Sequence, residues 1–267
     1  MNEKAIGLFD SGVGGLTILR QLTKHLPNEK FIYFGDNARA PYGSKTEDQL
    51  YEINEEITQF LLSKDIKLLI MACNTSCSLF LESLQEKLPI PVIGLIKPAA
   101  ENANSISYNK RFAVIATPLT TKSKAYTKAL LALNNKNSII EIPCPKLVPI
   151  IETNLIYSAS TFNVAKEYFS QAIDFDVDTI IYGCSHYPFL DPVFKKLTSK
   201  FINFINPAVT QIPSVKDVLI KNNITANKRR NGSTQFWISG NTQLFENFLN
   251  RHYKNMEYSI KQYQLLS

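Results

Sequence analysis

The chain has 267 residues, of which 45% are hydrophobic and 19% are charged; this composition excludes a disordered protein and suffices for one large or two medium cores. The formal net charge is +6, with basic residues spread along the chain. The one tight basic cluster, Lys228-Arg229-Arg230, precedes Asn231-Gly232 and therefore indicates a solvated turn rather than a nucleic-acid patch.

The sequence also argues against export and membrane insertion. The first residues lack a basic stretch followed by a long apolar run, and no apolar run approaches the roughly 20 residues that span a bilayer. We therefore expect a cytoplasmic protein that contacts no membrane. In a reducing cytosol, the four cysteines are not expected to form disulfides.

Short apolar runs alternate with amphipathic segments through the first third of the chain. Residues 5–9, 31–34, 68–72 and 92–94 are predicted to be buried strands. Helical spacing of apolar residues predicts helices between them, at Leu16, Leu19, Leu22 and Leu26 and at Leu50, Ile53, Ile57, Phe60 and Leu61. A capping box, Ser44-Lys45-Thr46-Glu47, is predicted to open the second helix. The alternation favours a mainly parallel sheet with helices on both faces.

The same pattern starts again at Arg111. Residues 112–116, 139–142, 178–182 and 201–205 are predicted strands, with a helix around residues 162–173. A further strand at residues 235–238 and a helix near residues 244–249 are predicted to close the chain. The restart predicts an α/β fold with two similar domains, although two unrelated α/β units would look alike in the same way.

Two cysteines follow equivalent predicted strands in the two halves. Cys73 precedes Asn74-Thr75, and Cys184 precedes Ser185-His186. Asp10 and Thr117 likewise follow the first strand of each half. Because ligands bind at the carboxyl ends of parallel strands, we expect these polar turns to face one cleft between the halves.

The turn Asp10-Ser11-Gly12-Val13-Gly14-Gly15 joins a predicted strand to a predicted helix, where glycines allow close backbone approach. A dinucleotide-binding turn is the main alternative. However, Thr17 replaces the third glycine of that fingerprint, and Asp10 would place negative charge beside a pyrophosphate. The helix N-terminus can instead hold a substrate carboxylate.

Cys73 and Cys184 have three possible roles. Each can be a buried structural cysteine, which is the common role for a single cysteine. A helix that begins directly after the cysteine would instead lower the pKa of its thiol from about 8.5 toward neutrality and make it reactive. Zinc binding by Cys73, Cys77, Cys184 and His186 is the third role, but the spacing of Cys73 and Cys77 is a poor match to paired zinc ligands.

Several other residues have more than one interpretation once the two thiols are considered. His186 is either a packing histidine or a proton partner for Cys184. The sequence Pro41-Tyr42-Gly43 indicates an extended turn. Glu152 follows an apolar run and is by default a solvated helix residue, whereas Cys144 lies between two prolines and is expected to be structural.

Together, these turns resemble the glutamate racemase family, whose members are cofactor-independent enzymes that supply D-glutamate for peptidoglycan. The matching motifs run along the chain in the family's order: Phe9-Asp10-Ser11-Gly12-Val13-Gly14-Gly15-Leu16, Pro41-Tyr42-Gly43, Ala72-Cys73-Asn74-Thr75, Cys144-Pro145 with Val148-Pro149 and Glu152, and Gly183-Cys184-Ser185-His186-Tyr187-Pro188.

The resemblance implies that Cys73 and Cys184 are acid/base thiols on opposite faces of the substrate α-carbon. It implies that Asp10 assists Cys73, and that His186 and Glu152 assist Cys184. The implied substrate site comprises Asp10, Ser11, Pro41, Tyr42, Gly43, Cys73, Asn74, Thr75, Thr117, Thr120, Cys184, Ser185 and His186.

The resemblance also implies how the chain is divided. Residues 1–96 and 207–267 would form a discontinuous first α/β domain, residues 97–206 would form a second, and the active site would lie in the cleft between them. We expect glutamate as the small-molecule substrate and a homodimer as the assembly.

Several residues depart from the family's usual pattern. The family usually has Thr at Ser185, Ala and a small hydroxyl residue at Ser76 and Cys77, Gly at Ala116, and an acidic residue at Lys97. None of these departures removes a catalytic group, and Cys77 is expected to be an inert thiol near the site.

Racemisation suits a pair of thiols because one base cannot easily reach both faces of the α-carbon. One cysteine enters as a thiolate and the other as a thiol, and cysteine can reach either form near neutral pH. Polar groups after each cysteine can stabilise the charge that develops on the substrate carboxylate. No lysine motif calls for pyridoxal phosphate and no metal motif is convincing, so we expect no cofactor and no metal.

Two classes of alternative stay open at this point. An aspartate racemase, or another isomerase or decarboxylase of the same superfamily, would keep two cysteines in a different pocket. The second alternative is a non-enzymatic role, in which the protein binds nucleic acid or a DNA-handling enzyme. The net charge of +6 is the only support for it.

Overall fold

The computed structural model describes residues 2–198, 201–227, 229, 231–253 and 257–265. Lys228 and Arg230, from the predicted basic turn, lie outside the described residues. The strands are β1 (Ile6–Asp10), β2 (Phe31–Gly35), β3 (Leu68–Met71), β4 (Val92–Ile93), β5 (Arg111–Ala116), β6 (Ser138–Pro143), β7 (Thr179–Gly183), β8 (Asn203–Ile205), β9 (Thr234–Ile238) and β10 (Tyr258–Gln262).

Helices connect most of these strands. They are α1 (Leu16–His25), α2 (Glu47–Ser63), α3 (Asn74–Lys87), α4 (Ile96–Ile106), α5 (Pro118–Ser123), α6 (Ala125–Leu133), α7 (Leu147–Glu152), α8 (Ala159–Asp174), α9 (Asp191–Leu197), α10 (Pro207–Thr210), α11 (Ile212–Lys221) and α12 (Thr242–His252). Two short 3-10 helices, Tyr42–Ser44 and Tyr187–Leu190, follow β2 and β7.

The strands form two sheets in which each described pairing is parallel. The first sheet has the order β10-β9-β2-β1-β3-β4 and the second has the order β6-β5-β7-β8. The order β2-β1-β3-β4 in the first sheet is therefore repeated by β6-β5-β7-β8 in the second. This repetition confirms the predicted α/β fold with two similar halves, in which β3 and β7 occupy equivalent places.

The central strands are buried along their whole length because a parallel sheet is covered on both faces. Every residue of β1, β3 and β7 is buried. The register places Asp10 beside Gly35 and Phe9 beside Met71 in the first sheet. In the second sheet, Ala116 lies beside Gly183. The residues that follow these strands therefore emerge at one edge of each sheet.

The predicted amphipathic helices are confirmed, with one correction at a helix start. Helix α2 begins at Glu47, and its capping box consists of Thr46 and Gln49 rather than Ser44 and Glu47. The backbone N–H of Gln49 donates to Thr46 Oγ1 over 3.2 Å, and the backbone N–H of Thr46 donates to Gln49 Oε1 over 3.1 Å. Ser44 cannot cap this helix because it belongs to the preceding 3-10 helix.

The C-terminal prediction was incomplete. Helix α12 does not close the chain, because β10 follows it and adds a parallel edge strand to β9. This strand buries little of its surface, so its apolar signal is weak. Phe201 was assigned to a strand, but it lies before β8 and is exposed. No helix within the described part of the chain is long and apolar enough to cross a membrane.

Candidate active site

The two strand-end cysteines lie at equivalent positions in the two sheets and are both buried. Cys73 lies between β3 and the first residue of α3, and Cys184 directly follows β7. Only 4% of Cys73 and 5% of Cys184 is exposed. The thiols lie close enough that negative charge on Cys184 raises the pKa of Cys73. The structure therefore places the two predicted thiols in one enclosed site.

Asp10 connects the two halves at this site. Its Oδ1 accepts a hydrogen bond from Ser185 Oγ over 2.9 Å, and its Oδ2 accepts one from the Gly12 N–H over 3.1 Å. Burial raises the pKa of the Asp10 carboxyl, whereas the neighbouring charge of His186 and these hydrogen bonds oppose the rise. The described hydrogen bonds of Asp10 thus reach Ser185, beside Cys184, rather than Cys73.

The glycine turn after β1 packs directly against residues that follow β7. A Cβ atom at Gly14 would overlap the His186 ring and the Ser185 hydroxyl, and one at Gly12 would lie 2.9 Å from Glu152 Oε1. Thr17 Oγ1 also donates to the Ser185 carbonyl over 2.9 Å. The glycines are therefore explained by close contact between the halves, and this turn presents Asp10 to the second half.

His186 links Cys184 to Glu152. Its Nδ1 lies 3.8 Å from Cys184 Sγ, and its Nε2 lies 2.7 Å from Glu152 Oε1 at the end of α7. Burial alone would lower the pKa of His186, but hydrogen bonds to Cys184 and Glu152 raise it well above its usual value. These hydrogen bonds therefore favour the protonated imidazolium of His186, and Glu152 is its partner rather than a solvated helix residue.

The electrostatics of Cys73 contradict one expectation. Burial raises the pKa of its thiol to about 12, and the Asp10 carboxylate adds to the rise, although the backbone N–H of Ser76 opposes it. The start of α3 therefore does not bring this pKa toward neutrality, because desolvation outweighs the helix N-terminus. The expected helix after Cys184 is also wrong in kind, since a 3-10 helix begins at Tyr187.

Three threonine hydroxyls meet beside the cysteines. Thr75 on α3 lies 3.0 Å from Thr117 and 3.1 Å from Thr120, and the latter two are 3.0 Å apart. Thr117 directly precedes α5, and Thr120 lies within it. The cluster thus joins the two halves of the molecule and brings three predicted substrate-site residues together.

The predicted turn around Tyr42 also reaches this cluster. A Cβ atom at Gly43 would lie 2.7 Å from Thr117 Cβ, so the turn contacts the second half. Tyr42 is buried and its hydroxyl donates to Asp36 Oδ2 over 2.6 Å. Pro41 is exposed and Ser11 is buried at the start of the glycine turn. Of the predicted site residues, Pro41 is therefore the most peripheral.

Two buried residues of this region were missed at the sequence level. Asp36 follows β2 at the same sheet edge as Asp10, and it accepts hydrogen bonds from Tyr42, Arg39 and Ser239. Its position after a strand was a signal that was available. Tyr126 lies within α6 and its hydroxyl donates to Asn74 Oδ1 over 2.6 Å. No local pattern distinguishes it from an ordinary core tyrosine.

The other two cysteines, Cys77 and Cys144, contact backbone carbonyls, as is usual for structural cysteines. Cys77 Sγ donates to the Met71 carbonyl over 3.1 Å, and Cys144 Sγ donates to the Ile142 carbonyl over 3.3 Å. Burial raises the pKa of both thiols. Within the described ranges, no group of three or more His, Cys, Asp and Glu side chains is arranged to hold a metal ion. The four candidate zinc ligands are thus not arranged as a metal site.

Known proteins share both the sequence and the fold of the chain. Residues 16–212 match the model of the Asp/Glu/hydantoin racemase family. The glutamate racemase of Trichodesmium erythraeum (strain IMS101) is 40% identical over 243 residues, which are 91% of this chain and 89% of that protein. 

Two crystal structures extend the likeness to three dimensions. A glutamate racemase isoform from Bacillus anthracis is 32% identical, with a TM-score of 0.95 over 99% of each chain. The glutamate racemase of Francisella tularensis in complex with D-glutamate is 30% identical, with a TM-score of 0.89 over 99% of this chain and 98% of that one.

Proposed function

The chain belongs to the Asp/Glu/hydantoin racemase family, and we propose that it interconverts L- and D-glutamate by thiol acid/base chemistry, without metal or cofactor. The observation that carries this proposal is the pair of buried thiols at equivalent strand ends, which have unlike charged neighbours. In this proposal the D-glutamate serves peptidoglycan synthesis.

The resting protonation states follow from the neighbours of each thiol. Burial and the Asp10 carboxylate keep the proton on Cys73, whose pKa they raise to about 12. In this proposal Cys184 enters as the thiolate, and its Sγ lies 3.8 Å from Nδ1 of His186, whose positive charge can balance it. One thiol and one thiolate are thus available at the same time, as a two-base racemisation needs.

The proton transfers then balance in each direction. The Cys184 thiolate removes the α-proton from one face, and the Cys73 thiol gives its proton to the opposite face. The product leaves Cys184 as a thiol and Cys73 as a thiolate, and this exchanged pair catalyses the reverse reaction. The side chain of Glu152 is 29% exposed, so it offers the buried His186 a route by which protons exchange with solvent.

The remaining predicted residues are assigned to substrate binding. Charge that develops on the α-carboxylate is stabilised by hydrogen-bond donors from Asn74, Thr75, Thr117 and Thr120. Asp10 receives the substrate ammonium group, whose positive charge favours the ionised carboxylate. Ser11, Tyr42, Gly43 and Ser185 complete the wall of the site, with Pro41 at its edge. Since both thiols are nearly inaccessible, the two halves separate to admit glutamate.

The wider organisation is proposed on separate grounds. The division into residues 1–96 with 207–267 and residues 97–206 is supported by the strands, since β1 to β4, β9 and β10 share one sheet and β5 to β8 share the other. A cytoplasmic location agrees with four cysteines that are all free. The homodimer rests on the resemblance alone, and sedimentation velocity tests it.

Turnover of both enantiomers by the purified protein tests the function. In deuterated water with a chelator present, L- and D-glutamate should each racemise and acquire deuterium at the α-carbon. Aspartate, which shares the reacting centre and has a shorter side chain, should turn over much more slowly. Faster turnover of aspartate would contradict the assigned substrate, and activity that vanished with the chelator and returned with zinc would contradict the metal-free mechanism.

A further inference from the structure

The Asn74 side chain has one satisfied and one unsatisfied polar atom. Its Oδ1 accepts a hydrogen bond from the Tyr126 hydroxyl over 2.6 Å. Its Nδ2 is buried and has no hydrogen-bond partner within the described part of the chain. A buried unpaired donor is unfavourable, and such groups in native proteins call for an explanation. A hydrogen-bond acceptor on a ligand bound beside Cys73 would pair with Nδ2 and explain why it is left free.

Tyr126 fixes which of the two atoms stays unpaired. It is fully buried, and burial raises the pKa of its phenol well above the usual value, so the hydroxyl keeps its proton. That proton requires an acceptor, which Asn74 Oδ1 provides. A flipped amide would place Nδ2 against the hydroxyl oxygen and would leave the tyrosine proton buried without an acceptor.

The contact also joins the two halves of the molecule. Asn74 is the first residue of α3, directly after Cys73, whereas Tyr126 belongs to α6 beside the four-stranded sheet. The two helices pack against each other. The amide is therefore held from the opposite half to the one that carries it.

We propose that Tyr126 is a positioning residue that holds the Asn74 amide with its NH2 group facing a carboxylate oxygen of the substrate. The inference rests on the proposed function, because it takes an amino-acid carboxylate as the acceptor. Tyr126 itself touches no reacting atom in this scheme and acts only through Asn74.

A double-mutant cycle separates this role from a structural one. Tyr126→Phe should lower kcat/KM for glutamate about 3- to 10-fold, the range expected for one hydrogen bond, mainly through a higher KM. In an Asn74→Ala background the same substitution should change kcat/KM less than about twofold, because the side chain to be positioned is gone.

Tyr182→Phe is the matched control. Tyr182 is also fully buried, and its hydroxyl donates to Asp191 Oδ1 over 2.8 Å rather than to Asn74. This variant should lose thermal stability comparably and keep kcat/KM. If Tyr126→Phe does not fold, Asn74→Asp tests the polarity, since it keeps an acceptor for Tyr126 and replaces the donor by an oxygen. It should raise KM more than Asn74→Ala does.

The outcomes distinguish this inference from the proposed function. A wild-type protein that does not turn over glutamate contradicts the function itself. An active wild-type protein in which Tyr126→Phe has no effect, or the same effect with and without Asn74, overturns the positioning role alone. An Asn74→Asp variant with wild-type KM overturns the assigned polarity of the amide.

Discussion

Cys73 and Cys184 follow equivalent strands of the two sheets, but the side chains beside them carry opposite charges. Each cysteine follows the equivalent strand of a four-strand pattern, β3 in one sheet and β7 in the other. Burial raises the pKa of the Cys73 thiol, and its charged neighbour, the Asp10 carboxylate, adds to the rise. Cys184 has the His186 imidazolium, held by Glu152. The repeated fold thus places two similar thiols beside groups of unlike charge.

Substrate and product are mirror images with equal free energy, yet the reaction needs one thiol and one thiolate at its start. The unlike neighbours of the two cysteines meet this need. If both thiols were alike, resting molecules would often hold two thiols or two thiolates, and neither state can both remove and return a proton. In the proposed mechanism, unlike neighbours distinguish the thiol that acts as the acid from the one that acts as the base. They also allow the two directions to have different rate constants, although the equilibrium between enantiomers is still one.

Removal of either thiol should have the largest effect. Cys73→Ala and Cys184→Ala should each lower racemisation in both directions by about 10³-fold or more, because the acid or the base is lost. Chiral chromatography of the products measures this loss. Cys77→Ala is the matched control, since it removes a buried thiol that donates to a backbone carbonyl, and it should stay within about threefold of wild type. Substantial racemisation by either site variant would show that one thiol suffices.

Replacing Glu152 should impair the action of His186 on Cys184 and leave the surroundings of Cys73 unchanged. Glu152 raises the pKa of His186, so Glu152→Gln should lower that pKa, and the imidazolium should be lost at a lower pH. The alkaline limb of the pH profile of kcat/KM should therefore move to lower pH. At neutral pH we expect a loss of about tenfold, the effect of one hydrogen bond to a charged group. An unchanged alkaline limb would mean that His186 does not control the activity.

Ser185 allows a smaller test of the link between the two sides. Ser185→Ala removes a hydrogen bond that lowers the pKa of Asp10, so that pKa should rise and the acidic limb of the pH profile should move to higher pH. We expect a loss of about fivefold in kcat/KM. Ser185→Thr keeps the hydroxyl and should remain within about threefold of wild type. Equal losses in both variants would assign the effect to packing instead.

The sequence predicted the features that long buried strands determine. The apolar runs before Cys73 and Cys184 are unmistakable because both faces of a parallel strand are covered, and the cysteines follow from the strand ends. Strand β10 was missed because an edge strand with little buried surface has no such run. The capping box was misplaced by two residues because Ser44 and Thr46 look alike until the 3-10 helix is known.

The electrostatics and the supporting contacts needed the three-dimensional structure. Position at a helix start suggested a lowered pKa for Cys73, but burial raises that pKa instead, and the extent of burial is visible only in the folded structure. Tyr126 lies far from Asn74 in sequence, so no local pattern reveals their hydrogen bond. Sequence motifs therefore located the candidate reacting groups, whereas the shifts in their pKa values depend on packing.

Solvent exchange by the single-cysteine variants tests the central claim most directly. In deuterated water, the Cys73→Ala and Cys184→Ala variants should each exchange the α-proton of one glutamate enantiomer without inverting it, and the two variants should act on opposite enantiomers. Exchange should be slower in Cys184→Ala, because burial and the Asp10 carboxylate still raise the pKa of the remaining thiol. Proton NMR of the α-position measures both rates. Exchange of the same enantiomer by both variants would contradict thiols that act on opposite faces with unlike partners.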